Sequence, residues 1–357
     1  MVRARTTAER KTMPSDAGPR ARPTLADVAA RAGVSKGLAS LAVRDAAGPS
    51  AKSRERVLAA ARELGWQPDS AARVLARHRS RLIGVTYAIR RPFDSEVVEH
   101  IYASAEAARY DVALSAITPG RSADRAVEPL LAGRCEALVL LGVGSLSEED
   151  LRGLSEQVPT VVIGQSSGGA VVDTVRTAGA AGAQLAVEHL RELGHSAIVH
   201  VDGGPDASAV EHRRGYEEAM AAQGLRKRIR VVAGGATEDD GVTAASRMLE
   251  GDLPTAVVAY NDSCATGIIS TFQRFGVHVP GDVSVIGYDD SRVARLPYFE
   301  LTTVAQDSRQ LASLAVQRSV GRLEGDLGAP EEVVLAPKLI RRATTARLIV
   351  NAPQVPK

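Results

Sequence analysis

Thr24-Leu-Ala-Asp-Val-Ala-Ala-Arg-Ala-Gly-Val-Ser-Lys-Gly-Leu-Ala-Ser-Leu-Ala-Val-Arg44 is the stretch that decides how this 357-residue chain is read. Leu25, Val28, Ala29 and Ala32 recur at i, i+3, i+4 and i+7, so they share one helix face. Thr24 stands at the N-cap position, and Asp27 three residues on supplies an acidic capping box. Gly33 gives a tight turn, Val34 a buried spacer, and Ser35 the cap of a second helix. That helix turns Leu38, Ala39, Ala42 and Val43 inward and Lys36, Gly37, Ser40, Leu41 and Arg44 outward. Helix, short glycine turn, helix is the helix-turn-helix layout, whose outer face can enter a DNA major groove. A third helix over 51–64 carries Lys52, Arg54, Arg56 and Arg62, with Lys52 and Ser53 at its start, where charge and backbone amides can hold phosphate. The bland alternative is a small helical packing domain with solvated arginines.

Charge weighs against that alternative. The net charge is +2, but residues 1–81 hold 17 Lys/Arg against 7 Asp/Glu and the rest 27 against 35. A basic first quarter on an acidic body suits an anionic partner for the N-terminus. Residues 1–23 read as a disordered basic arm without the apolar run of a secretory signal, 24–66 as the DNA-binding domain, and 67–81 as a connector. No apolar run approaches the roughly 18–20 residues that span a bilayer. Cys135 and Cys264 show no C-x-x-C spacing, so buried reduced thiols are expected rather than a disulfide or zinc framework. These features indicate a soluble cytoplasmic protein.

From residue 82 the texture changes. Short apolar runs at 82–87, 111–115, 137–141, 160–163, 197–201, 230–233, 256–259 and 283–287 read as strands. Helical stretches at 97–108, 123–132, 180–193, 210–223, 241–249 and 263–275 alternate with them. The alternation predicts a doubly wound α/β body, and its strand number predicts two lobes. Enzyme motifs lack their context. Gly164-Gln-Ser-Ser-Gly168 matches G-x-S-x-G, but a nucleophile elbow needs a helix directly after it, and Gly169 to Asp173 reads as loop and extended chain. Gly142-Val-Gly144 lacks the third glycine of a dinucleotide loop. Glu148-Glu149 and Asp239-Asp240 sit in polar stretches, and no metal-ligand spacing occurs. No catalytic residue, cofactor or metal is expected.

The Thr24–Ser35 run resembles the T-x-x-D-V-A-x-x-A-G-V-S signature of the lactose-repressor (LacI/GalR) family of bacterial transcription regulators. Further landmarks are the third-helix block Ser53 to Pro68, Leu193-Gly194-His195, Asn261-Asp262, Val283 to Asp290 and Leu301-Thr302-Thr303-Val304. The resemblance runs to about Thr345. It implies a helix-turn-helix head, a hinge helix, and a periplasmic-binding-protein-like core of two lobes that close on a ligand. It divides the core (82–345) into lobe 1, about 82–178 and 306–332, and lobe 2, about 179–303 and 333–345, followed by a flexible tail, 346–357.

By the same resemblance Lys36, Gly37 and Leu41 fall where the family reads bases. Gly37 has no side chain to read with, and Leu41, in place of a common Arg, can meet a thymine methyl group. The connector resembles the family's hinge helix, with Leu75 as the minor-groove wedge, Ala72 at the helix–helix contact and Arg73 beside them. The DNA-contacting set is Thr24, Ser35, Lys36, Gly37, Ser40, Leu41, Arg44, Ser53, Ala72, Arg73 and Leu75. The effector set is Phe93, His212, Asn261 and Asp289. His212 replaces a usual Arg and is expected either to titrate near neutrality or to be a solvated helix-start residue. Ala178-Gly179 replace a common Asp-Asn pair, and Ala236 stands where some members stack an aromatic ring on sugar.

The sequence therefore reads as a homodimeric repressor. It binds a pseudo-palindromic double-stranded DNA operator and is modulated by a small-molecule effector, a sugar or related metabolite. The alternatives are a relative that has lost its effector, and a solute-binding or enzymatic α/β protein with a basic appendage.

Overall fold

A computed structural model describes residues 23–43, 46–66, 79–166 and 171–349. The chain divides into two units, residues 1–79 and 80–357.

The head contains α1 (Leu25–Ala32), α2 (Lys36–Val43) and α3 (Ala51–Glu63). Thr24 and Asp27 form a reciprocal cap on α1: the Asp27 amide donates to Thr24 Oγ1 at 3.3 Å and the Thr24 amide to Asp27 Oδ2 at 2.7 Å. Gly33 ends α1 with φ 65°, a left-handed conformation that costs glycine little. Ser35 Oγ accepts from the Leu38 amide at 3.2 Å and so starts α2. α3 is capped by Ser50, whose Oγ accepts from the Ser53 amide. Val28, Ala29, Ala32, Ala39, Ala42, Val57, Ala60 and Ala61 form the core, and Trp66 packs at its edge. Most of these side chains are alanines, so the three helix backbones pack closely.

The body holds two sheets. The first has the order β11-β5-β4-β3-β1-β2, from β1 (Leu82–Ala88), β2 (Asp111–Ile117), β3 (Ala137–Leu140), β4 (Thr160–Ile163), β5 (Asp173–Thr177) and β11 (Glu332–Leu335). All its pairings are parallel. The second has the order β12-β10-β9-β8-β6-β7, from β6 (Ile198–Val201), β7 (Val231–Val232), β8 (Ala256–Val258), β9 (Ser284–Asp289), β10 (Thr303–Ala305) and β12 (Lys338–Ile340); only β12 is antiparallel. Strands β3, β4 and β6 are buried on both faces, as their mostly apolar runs suggest. The crossover helices are α4 (Pro92–Ala107), α5 (Ala123–Ala132), α6 (Glu148–Gln157), α7 (Gly179–Glu192), α8 (Ala209–Ala222), α9 (Glu238–Leu249), α10 (Asp262–Arg274) and α11 (Ser308–Glu324).

The chain crosses between sheets three times: after β5, after β10 and after β11. The third crossing falls at 336–337, later than the lobe division given above. Residues 333–335 pair with β5 in the first sheet, because Leu335 turns toward that lobe's core. Other elements also differ from the sequence reading. α4 begins at Pro92 rather than 97, since proline suits the first helical position. Glu148 and Glu149 are exposed, as their polar stretch suggests, and with Asp150 they form the first turn of α6, where Asp150 closes a capping box with Ser147. Among the described residues no helix follows β4, and the next element is β5, so Ser166 lacks a nucleophile elbow. Both cysteines are free and buried. No helix among the described residues is long and apolar enough to cross a membrane.

Candidate nucleic-acid surface and ligand cleft

α2 is split by burial as its sequence requires. Ala39 and Ala42 are buried, Leu38 and Val43 half-buried, Lys36 and Gly37 exposed, and Ser40 and Leu41 half-buried. Thr24 and Ser35 are exposed, but their hydroxyls are engaged as caps. Ser53 is half-buried in the first turn of α3, where its Oγ accepts from Ser50 Oγ. Arg54 turns inward. Its guanidinium donates to the Ala46 carbonyl at 2.9 Å and reaches that of Ala42, so it ties α3 to the end of α2. Arg31 pairs with Glu63 at 2.7 Å. Lys36, Lys52, Arg56 and Arg62 remain exposed. Arg44, Ala72, Arg73 and Leu75 lie outside the described residues.

In the body, a cavity of about 500 Å³ opens between the carboxyl ends of the two sheets, the usual ligand position in open α/β sheets. Phe93, His212, Asn261 and Asp289 all line it. Phe93 occupies the first turn of α4.

His212 differs from both expectations. It is only 6% exposed, and its ring lies 4.2 Å from that of Tyr288 and 5.2 Å from that of Tyr260, centroid to centroid. Burial pushes its imidazole down to about 3, so it is neutral throughout the physiological range. Gly179 makes room for it: a Cβ there would stand 2.8 Å from His212 Cδ2. One turn along α7, a Cβ at Gly182 would stand 2.6 Å from Tyr288 Cε2. The missing side chains on α7 and the added ring on α8 are thus one feature. Aromatic rings fill the space that the two glycines leave.

Asn261 serves mainly as a cap. Its Oδ1 accepts from the Cys264 amide at 2.8 Å and its Nδ2 donates to the Ala236 carbonyl at 2.9 Å. Asp289 ends β9 with φ 114°, a backbone region that only a constrained site retains in a non-glycine residue. Its Oδ1 accepts from Gln306 Nε2 at 2.7 Å. Burial, then the neighbouring Asp262, raises its carboxyl well above the usual range. Asp262 is fully buried, accepts from Thr303 Oγ1 at 2.6 Å and from the Ser291 amide at 2.7 Å, and is pushed up by burial to about 7.

Asp94 and Arg91 are among the polar residues of the cleft that escaped the sequence reading. Asp94, 5% exposed, accepts from the Ala88 amide at 2.9 Å, and burial raises its carboxyl. Arg91 at the start of α4 forms an ion pair with Asp206, beyond β6. That pair crosses the cleft, as do Arg176–Glu211 at 3.1 Å and Arg295–Glu96 at 2.7 Å. Their sequence signal was Arg91-Pro-Phe-Asp94, which places charge on both sides of a helix-opening proline.

Comparison with known proteins agrees with this architecture. Residues 24–69 match the family model "Bacterial regulatory proteins, lacI family", and residues 187–345 match "Periplasmic binding protein-like domain". The HTH-type transcriptional regulator GalR of Salmonella typhimurium (strain SL1344) is 32% identical over 326 residues, covering 89% of this chain and 95% of that protein. A solved LacI transcriptional regulator from a Rhodococcus species is 43% identical, with a TM-score of 0.72, over 74% of this chain and 98% of that one. The lac repressor dimer, solved bound to operator and the anti-inducer ONPF, is 30% identical, with a TM-score of 0.75, over 91% of this chain and 99% of that one.

Proposed function

The chain belongs to the lacI family of bacterial regulatory proteins, which makes it a DNA-binding transcriptional regulator, and from that premise we propose that it is a repressor controlled by a small molecule held in the cleft. The observation that carries the proposal is the cavity itself. It lies between two lobes joined by three chain crossings and by cross-cleft ion pairs, so a ligand that favours one lobe separation shifts the population of states. The head reads the operator through the exposed face of α2, and exposed cations on α2 and α3 hold phosphate. Two heads in a two-fold dimer read a pseudo-palindrome, as the operator-bound dimer named above suggests. By family resemblance Ala72, Arg73 and Leu75 sit in the minor groove between them. Phe93, His212 and Asp289 meet the ligand, with Asn261 holding the wall.

The test is a mobility-shift titration of the full chain on DNA from upstream of its own and neighbouring genes. A candidate ligand should release the bound DNA, and Asp289→Ala should lose that response. Release that persists in the variant contradicts the cleft assignment.

A further inference from the structure

We propose that Arg91 is an ionic latch, whose pair with Asp206 holds the two lobes of the body closed at the cavity. The latch concerns the lobes alone and does not depend on whether a ligand releases operator.

Arg91 belongs to one lobe and most of its partners to the other. It stands at the N-cap of α4, shortly after β1 of the first sheet. Its guanidinium pairs with Asp206, which follows β6 of the second sheet. It also hydrogen-bonds the Tyr260 hydroxyl, beyond β8, and faces the Asp289 carboxyl at the end of β9. Asp94 faces it from its own lobe. One side chain is thereby tied to three strand ends of the opposite lobe.

The accepting side is organised before the lobes meet, because all its bonds lie within one lobe. Asp206 Oδ1 accepts from the Ser208 amide at 3.2 Å and from the Ser208 hydroxyl at 3.0 Å, which leaves Oδ2 for Arg91. Ser208 Oγ in turn lies 2.7 Å from the Tyr260 hydroxyl. Asp206 and Tyr260 are therefore fixed as one hydrogen-bonded unit and meet the guanidinium together. The Arg91 and Asp206 side chains are 23% and 18% exposed, so water and salt screen this pair less than one on the open surface.

The position of the pair makes it a latch on the cavity as well as a brace between lobes. Arg176–Glu211 and Arg295–Glu96 also bridge the lobes, but of these three pairs it is Arg91–Asp206 that has both partners in the cavity lining. Beside it the rims of the lobes touch. A Cβ at Gly144, after β3, would stand 3.4 Å from that of Ala207, next to Asp206, and both residues are exposed. Moving the lobes apart breaks the pair, and a molecule filling the cavity competes with Asp206 for the same guanidinium.

The rim contact supplies the test. Gly144→Cys and Ala207→Cys, introduced together, would bring two Cβ atoms near the mean disulfide separation of about 3.8 Å, while the native Cys135 and Cys264 are buried. In the full-length protein with no ligand added, oxidised glutathione should form the intramolecular disulfide, followed on non-reducing gels and scaled to the alkylation rate of each new thiol. Arg91→Gln and Asp206→Asn should each slow its formation by about fivefold or more. The two together should be no slower than Arg91→Gln alone, because each removes the same pair. If one variant fails to fold, the other decides by itself. No disulfide in the parent, an unchanged rate in the single variants, or effects that multiply in the double variant would overturn the latch.

Discussion

Gly182→Ala should destabilise the body, although alanine is the better helix former. In α7 the added methyl gains about 0.8–1 kcal/mol in helix propensity. The same methyl would stand 2.6 Å from Cε2 and 2.8 Å from Cζ of Tyr288, with the hydroxyl closer still. Tyr288 has no room to yield: it is 3% exposed, and the His212 ring lies 4.2 Å away on centroids. Overpacking of this kind costs about 1–3 kcal/mol, so the net loss should be about 1 kcal/mol. Removing the obstruction should reverse the sign. In a Tyr288→Ala background, itself costing about 3–5 kcal/mol, Gly182→Ala should stabilise by about 0.8–1 kcal/mol. The coupling between the two sites is then about 2 kcal/mol, well beyond what independent sites show. Urea denaturation followed by far-UV circular dichroism measures all four corners of the cycle, with equal slopes required for comparison. The same sign in both backgrounds would refute the claim that the glycines of α7 exist to admit the rings.

Three other perturbations test separate parts of the account. Thr24→Ala removes the reciprocal cap of α1 and should cost the head about 1 kcal/mol; the chain's only tryptophan, Trp66, packs on the head, so its fluorescence reports that unit alone. Asp173 is 1% exposed and accepts from Arg322 Nη2 at 3.1 Å and the Glu331 amide at 3.0 Å. Asp173→Ala should cost about 3–5 kcal/mol by stranding the arginines around it, seen as a lower thermal midpoint; a change under about 1 kcal/mol would contradict this. Burial pushes His200 down to about 4 from an ordinary 6.5, so protonation favours the unfolded chain. Its stabilising neutrality is complete above about pH 6.5 and fades as pH falls toward 4, by up to about 3 kcal/mol. Because the raised carboxyl of Asp262 acts in the opposite sense, the quantity to read is the difference between wild type and His200→Gln across that range, and a flat difference would count against it.

The sequence showed the head nearly complete because its signals are local. Thr24, Asp27, Gly33 and Ser35 act within four residues of where they stand, and all adopt the conformations their chemistry suggests. Strands buried on both faces were legible for a similar reason, as at 137–140, where an unbroken apolar run sufficed. Strands β5, β10, β11 and β12 escaped. They are short, carry Asp, Thr, Arg, Glu or Lys, and owe their place to neighbours distant in sequence. The cleft was legible as a list of residues but not as an electrostatic unit. Nothing near His212 in sequence announces that Gly179 and Tyr288 will enclose it. Likewise Arg91 is linked to Asp206 only by the meeting of two lobes.

The most direct test of the central claim is selection of bound duplexes from a random DNA pool by the full-length protein at physiological salt. The account predicts enrichment of a pseudo-palindrome with two inverted half-sites, and an affinity for it that falls steeply as salt rises. Enrichment of no sequence, or of a lone asymmetric site with a flat salt response, would contradict it.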